Sequence, residues 1–498
     1  MRGKHGKAAI FKAMDNLLKM RIRHMARINQ AVLTEEHFPV LEFVYEYYRK
    51  HGVGPLYRNI QKHTGAGRED LDRLFPHGID SVYVWLGIPV QSMERGCKPS
   101  ANVPVVNRRD VYLDYNATTP VRKEVLQSLK AFHEKRFSFG NPGSSTRLGK
   151  EAYDLIWSAR RQIAACLNVK PENIIFTGSG SEANNLAVKG IAFQHLNKKA
   201  HIVGTAIEHS SVLNALHYLR KIGIDVSFLD VDSDGRVSPD DVRKALRNET
   251  VLVSVMAANN EIGTINPLTE IGAVCRAAGV PFMVDAVQAF GKMELKPKEL
   301  GISLLSLSGH KIYAPKGIGA LFVDEDISLI PLVHGGEQEF GLRAGTENVG
   351  GIVALGKASR LAHAEMEKEN ARLLKLRTYF LEMLQRDVPD CIVNGSLEHR
   401  LPNTLSVGFP GVDSGSLLLS LNEIGVYVSS GSACSAGSSD ISHVIQAIGV
   451  DTSRYGVLRF SFGLETTKED IDYLFKYLPA ILRSCETMSN IDRGQSSG

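Results

Sequence analysis

Apolar positions along the chain change their period twice. Around residues 30–65, Leu33, Phe38, Val40, Leu41, Val44 and Tyr47 recur near helical spacing, which predicts an amphipathic helix. Thr34, with Glu36 and Pro39 close behind, supplies a helix start. His51-Gly52-Val53-Gly54-Pro55 breaks that helix, and a second helical stretch follows. Residues 91–110 lose the period and carry Pro99, Pro104, Lys98, Ser100 and Asn102. They predict a linker, 98–110, between a small, mainly helical first domain, 1–97, and the remainder.

Beyond 110, short β-branched runs alternate with helical patterns: Asn173–Thr177, His201–Ala206, Asp225–Leu229, Val251–Ala257, Pro281–Asp285, Leu304–Ser308 and Gly319–Val323. Such alternation predicts βα units around a mostly parallel sheet, here a large α/β domain over 111–365. Residues 352–388, rich in Glu, Lys, Arg and Leu, predict one long helix leading into a smaller α+β C-terminal domain, 366–485. Residues 486–498, ending Gly494-Gln495-Ser496-Ser497-Gly498, read as a disordered tail. No internal repeat is visible.

Length and composition narrow the class. A chain of 498 residues exceeds one ordinary core. Its 43% hydrophobic and 22% charged content is that of a globular protein. No run reaches the ~18–20 apolar residues of a membrane helix. The net charge of +4 is unevenly placed. Residues 1–28 carry eight Lys/Arg against Asp15, or 8 − 1 = +7, leaving 4 − 7 = −3 beyond. This basic arm reads as a docking helix with a solvated face, a nucleic-acid contact or a transit peptide. Without a continuous apolar stretch it is not a secretory signal. The six cysteines, Cys97, Cys166, Cys275, Cys391, Cys434 and Cys485, include no CxxC pair. That argues against a disulfide framework or a metal site and for a reducing, cytoplasmic location.

Three elements carry candidate chemistry. Ser308-Gly309-His310-Lys311 follows a buried strand, so Lys311 is placed at the sheet edge where open α/β sheets bind ligands. Alone, it reads more readily as a surface lysine after a turn. Asp285, after the apolar Phe282-Met283-Val284, is an acid on a buried strand and needs a positive partner. A protonated pyridine nitrogen is such a partner, and pyridoxal phosphate (PLP) enzymes pair that acid with a Schiff-base lysine. Thr177-Gly178-Ser179-Gly180-Ser181-Glu182-Ala183 is a strand-to-helix turn able to cradle a phosphate, a pattern many αβ loops share.

With these elements in place, Tyr112–Pro120 (Tyr-Leu-Asp-Tyr-Asn-Ala-Thr-Thr-Pro), Phe139-Gly140-Asn141-Pro142, Glu208-His209, Asn259-Asn260-Glu261-Ile262-Gly263, the Lys311 motif and Ser429-Ser430-Gly431-Ser432-Ala433-Cys434 resemble the NifS/IscS class of cysteine desulfurases. The resemblance covers about residues 110–480. It implies the PLP-dependent transferase fold type I, a homodimer, and conversion of L-cysteine to L-alanine with sulfur left on Cys434 as a persulfide. By the same resemblance Lys311 would hold PLP, Asp285 would meet its ring nitrogen and Gln288 its ring hydroxyl. His209 would stack on the ring and move protons. Gly180, Ser181, Ser308 and His310 would hold the phosphate, joined by Thr346 of a second subunit. Asn260 and Arg459 would hold the substrate carboxylate, with Asn141 nearby. The Ser/Gly/Ala setting of Cys434 predicts a mobile loop. One departure stands out: Asn141-Pro142-Gly143-Ser144-Ser145-Thr146-Arg147 lacks the His common in the family and is one residue short.

The first domain resembles a second family, the DsrC/TusE sulfur carriers, through Leu33-Thr34-Glu35-Glu36-His37, Glu46-Tyr47-Tyr48, Gly52-Val53-Gly54-Pro55, Leu74-Phe75-Pro76, Gly87-Ile88-Pro89 and Gly96-Cys97. This implies that Cys97 accepts persulfide sulfur, for tRNA thiolation or a related relay, with other acceptor proteins, tRNA or a tRNA-modifying enzyme as partners. The upstream cysteine of that family is absent, the region reading Ser81-Val82-Tyr83-Val84. The alternatives are a desulfurase for iron–sulfur assembly or DNA phosphorothioation whose first domain only docks partners, or a nucleic-acid scaffold with a silent PLP fold. The last conflicts with Lys311, Asp285, His209 and Cys434 all being retained.

Overall fold

The computed structural model describes residues 22, 33–51, 55, 57–75, 79–86, 109–135, 138–430 and 442–492. The chain divides into two compact units, Met1–Pro104 with Asn490–Gly498, and Val105–Ser489. The main division falls inside the expected linker.

The first unit contains α1 (Phe38–His51), α2 (Tyr57–Thr64), α3 (Arg68–Leu74) and α4 (Ile79–Leu86). The two helical stretches expected over 30–65 are α1 and α2, with the break where His51–Pro55 was expected to place it. Their apolar faces bury Val40, Leu41, Val44, Ile60, Leu71, Phe75 and Trp85. His37 pins this core. Its Nδ1 accepts from the Thr34 N–H at 3.1 Å and its Nε2 donates to the Leu74 carbonyl at 2.7 Å. Its ring stacks on Trp85 and meets the edge of Phe75. Cys97 lies outside the described residues.

The second unit opens with β1 (Val111–Tyr112), α5 (Lys123–Glu134) and α6 (Arg147–Leu167). It continues through β2 (Ile174–Thr177), α7 (Gly180–Ala192), β3 (His201–Thr205), α8 (Ser210–Lys221), β4 (Asp225–Leu229), α9 (Pro239–Ala245), β5 (Thr250–Ser254) and α10 (Leu268–Ala278). Then follow β6 (Phe282–Asp285), α11 (Pro297–Leu300), β7 (Leu304–Ser308) and β8 (Gly319–Val323). Strands β2 to β8 are the runs expected from the sequence, and they form one sheet ordered β2-β8-β7-β6-β5-β3-β4. Only β8 runs against its neighbours in this sheet. Each strand but β4 is almost wholly buried, as expected where helices cover both faces.

The long helix, α12, runs unbroken from Val349 to Asp387. The boundary expected at 365/366 thus falls inside a continuous helix. Beyond it come β9 (Ile392–Asn394), β10 (Thr404–Pro410), α13 (Ser414–Glu423), β11 (Val426–Tyr427), α14 (His443–Ala447), β12 (Tyr455–Ser461) and α15 (Lys468–Asp492). Helix α15 extends past 486, so the expected tail begins later, because the helical pattern of Lys468–Asp492 continues into it. Strands β12-β10-β9 form an antiparallel sheet. β1 pairs with β11 as a separate two-stranded sheet, and Asp114 bridges Ser461 of β12. Residues 111–114 are thus tied to the later strands β11 and β12.

Candidate active site

In parallel strands all C-terminal ends share one edge, and that edge collects the candidate residues. Asp285 ends β6 and Ser308 ends β7, with Lys311 in the short 3-10 turn that follows. The Ser179-capped α7 starts just after β2, and His209 caps α8 just after β3.

Lys311 Nζ donates to the carbonyls of Asn116 at 2.5 Å and Ala117 at 2.8 Å. Asp285 is buried; its Oδ2 accepts from Asn184 Nδ2 at 2.7 Å and its Oδ1 from the Val287 N–H at 2.9 Å. Gln288 donates through Nε2 to the Asn116 carbonyl at 3.0 Å. Its Oε1 is buried with no partner among the described residues, an acceptor with capacity left for a ligand donor. His209 Nδ1 pairs with Ser211 Oγ at 2.8 Å and accepts from the Ser211 N–H. Ser211 also accepts from Asn184, so His209 and Asp285 belong to one network.

At the phosphate turn, a Cβ at Gly180 would stand 2.7 Å from Val287 Cγ2 and 3.1 Å from Ser308 Cβ. A side chain there would press on Val287, so the glycine lets the start of α7 lie close against Ser308. Gly178 N–H and Arg343 are both held by Glu182. This fixes the turn and the strand of chain leading to Thr346, which is itself exposed. His310 Nδ1 meets Thr118 Oγ1 at 3.1 Å. Burial, with Lys311 and Lys316 adding repulsion, pushes its imidazole down to about 4, so it is neutral near pH 7.

On the other side, the buried Arg459 of β12 donates through Nη2 to Asp114 Oδ1 at 2.6 Å and through Nη1 to the Asn260 carbonyl at 3.0 Å. Its Nε is buried without a partner among the described residues. A buried guanidinium with a donor to spare suits a carboxylate. Asn141 behaves differently. It is exposed, its Oδ1 accepts from the Gly143 N–H at 2.9 Å, and among the described residues it makes no hydrogen bond to Asn260 or Arg459. The turn lacking the family His ends at Thr146, which instead caps α6.

Two carboxyls that carry no role from the sequence lie under this site. Burial raises Glu208 to about 8 although Met256 N–H and Thr205 Oγ1 both donate to it. Burial raises Glu261 to about 7, against the pull of Ser442, Arg459 and His209. Their raised proton affinity was hidden because burial, not residue type, sets it.

Cys434 lies outside the described residues, within 431–441. The backbone on either side is described: Ser429 exchanges both main-chain hydrogen bonds with Arg459, and Ser442 donates to Glu261. Burial raises the thiols of Cys166 to about 11 and Cys275 to about 12, and that of Cys391 upward, so these three are poor thiolates.

A lysine, a buried carboxylate and a glycine-bearing phosphate turn at one sheet edge define a PLP-dependent enzyme of fold type I. Residues 111–474 match the family described as Aminotransferase class-V, and the chain belongs to that family, among its PLP-dependent cysteine desulfurases. It is 46% identical to the cysteine desulfurase IscS of Dictyoglomus turgidum over 77% of this chain and 97% of that protein. A solved NifS-like protein superposes with a TM-score of 0.71 at 36% identity, covering 76% of this chain and all of that one. SspA in complex with cysteine superposes with a TM-score of 0.63 at 37% identity, over 71% of this chain and 98% of that one. Residues 7–84 match the family described as DsrC like protein, a match that ends short of Cys97. No helix among the described residues is long and apolar enough to cross a membrane.

Proposed function

We propose that this desulfurase passes sulfur from L-cysteine to Cys434 and then to Cys97 in the same polypeptide, feeding tRNA thiolation or a related relay. The observation that carries the relay is the DsrC-like match at 7–84 joined to the desulfurase at 111–474. Fusion would present Cys97 to the Cys434 persulfide at an effective concentration near ~1 mM if the linker spans the gap.

In this reading Lys311, Asp285 and Gln288 hold the PLP ring, His209 covers it, and Gly180, Ser181, Ser308 and His310 hold its phosphate. Thr346 of a second subunit completes that cradle in a homodimer. PLP, when bound, supplies an electron sink at the substrate's α-carbon. Arg459 and Asn260 orient the substrate by its carboxylate, while Asn141 stands farther out at the entrance. His209 and the amine of Lys311 are the groups placed to move protons. The Cys434 thiolate attacks the substrate sulfur: an S–S bond forms, the C–S bond breaks with its electron pair kept by carbon, and carbon takes up a proton to give alanine. Sulfur is oxidised and carbon reduced by the same two electrons, so no outside oxidant is needed. Transfer to Cys97 is then thiol exchange on the outer sulfur.

The end of the DsrC match before Cys97 favours one second reading, in which the first unit only docks partners and sulfur leaves Cys434 for iron–sulfur assembly or DNA phosphorothioation. Labelling with ³⁵S-cysteine separates the two. Cys434→Ser should abolish protein-bound label, and Cys97→Ser should remove label from the first unit alone. If Cys97→Ser loses none, the relay is wrong and the docking reading stands.

A further inference from the structure

Asn116 is 2% exposed and makes hydrogen bonds in every direction. Its N–H donates to Ser461 Oγ at 2.9 Å. Its Nδ2 donates to the Asn260 carbonyl at 3.1 Å and to Thr404 Oγ1 at 2.8 Å, and its Oδ1 accepts from Asn403 Nδ2 at 2.9 Å. Its own carbonyl accepts from Lys311 Nζ at 2.5 Å and Gln288 Nε2 at 3.0 Å. No atom of this buried amide is wasted, as expected where a polar side chain fixes geometry.

The partners fall into two groups. The carbonyl side touches Lys311 and Gln288, the residues read as holding the cofactor. The carboxamide side touches the Asn260 carbonyl, which also receives Arg459 Nη1 at 3.0 Å. Asn116 and Arg459 thus share one acceptor, and Asn116 is one residue wide between the two halves of the site. We propose that Asn116 is a positioning residue that couples the carboxylate grip of Arg459 and Asn260 to the amine of Lys311. It makes no contact with substrate itself. It holds the Asn260 carbonyl where Arg459 needs it, and the same rigid peptide presents the oxygen that receives the Lys311 amine. The inference rests on the carboxylate role read for Arg459 above.

A merely structural amide would affect melting and little else, so the test reads two other quantities. The first is KM for cysteine. The second is the pH midpoint for colour formation when PLP is added to the apoprotein, which reports the free amine of Lys311. Asn116→Ala should raise KM about tenfold, the cost of unsatisfied buried partners. It should also lower the midpoint by roughly half a unit, since a carbonyl acceptor that stabilises the charged amine is no longer held in place. Asn116→Ser, which keeps a hydroxyl for the buried neighbours, serves if the alanine variant does not fold, and should shift both in the same direction. Asn403→Ala removes the Oδ1 partner, with the longer bonds to the Phe462 carbonyl and Thr404 Oγ1, but leaves the Asn260 and Lys311 links; it should lower the melting temperature without moving KM or the midpoint. The proposal is overturned if a folded Asn116 variant keeps both wild-type values, or if Asn403→Ala moves both equally. Arg459→Ala isolates the underlying reading: KM should rise about 100-fold. An unchanged KM there refutes the carboxylate role and this coupling with it, whereas a raised KM with an inert Asn116→Ala refutes the coupling alone.

Discussion

The hydroxyl of Ser442 donates to the Glu261 carboxylate at 2.6 Å, fastening the cap of α14 to the wall of the active site. Glu261 is raised to about 7 by burial. The folded state therefore holds a proton that the unfolded chain releases near 4.5. Stability from this group is present in full below that value and is lost as pH rises through about 7. Relative to Glu261→Gln, the wild-type protein should become progressively less stable between pH 5 and 8. Melting curves at four pH values measure it, and a constant difference would show that Glu261 is ionised throughout.

Asp285 should contribute charge as well as shape. Asp285→Asn removes the negative charge and keeps one oxygen for the Val287 N–H, while its new amide N–H can be met by turning Asn184, whose Oδ1 has no partner among the described residues. We expect alanine formation to fall about 100-fold or more, the scale seen when one oriented charge partner is lost. PLP should also be released more readily on dialysis. Wild-type retention of PLP together with wild-type turnover would show that the ring nitrogen does not face this residue.

Lys292 lines a cavity of about 50 Å³ that Lys311 also lines, and its Nζ donates to the Gln288 carbonyl at 2.9 Å. Burial and the charge of Lys311 lower its amine to about 7. Below that pH, Lys292 adds a second positive charge near Lys311, and the repulsion between them opposes protonation of the Lys311 amine. Lys292→Met should therefore slow colour formation with PLP at pH 6 and leave it unchanged at pH 9. Equal slowing at both values would indicate lost packing rather than lost charge.

Much of this was legible in the sequence because it is local. The runs at β2 to β8 are continuous and apolar, so a sheet buried on both faces could be read directly. Asp285, Ser308 and Lys311 sit at strand ends, where position announces chemistry. What stayed hidden depends on distant partners. Asn116 lies within the Tyr112–Pro120 motif, yet nothing in that motif shows that Asn260, Thr404 and Asn403 converge on its side chain. The helix α12 erases a domain boundary expected at 365/366, since a helix can carry the chain from one sheet to another without a break in its period. Asn141 keeps its motif position but spends its carbonyl on its own turn.

The same distance hid the ion pair between Arg160 and Glu339. Both side chains are almost fully buried; Arg160 Nη2 donates to Glu339 Oε1 at 2.6 Å and Nη1 to Oε2 at 2.9 Å. Glu339 Oε2 also accepts from the Phe176 N–H of β2, and the guanidinium lies over Phe176 and Phe340. Glu339 and Phe340 have φ of +48° and +59°, a left-handed backbone that the pair must hold against its intrinsic cost. Arg160→Met leaves a buried carboxylate facing β2 and should cost about 3–5 kcal/mol. Adding Glu339→Gln removes the stranded charge while keeping an oxygen for the Phe176 N–H, so the double variant should regain a large part of that loss. Urea unfolding of the two single variants and the double variant measures the coupling. Additive losses would mean that the pair contributes no more than its separate packing.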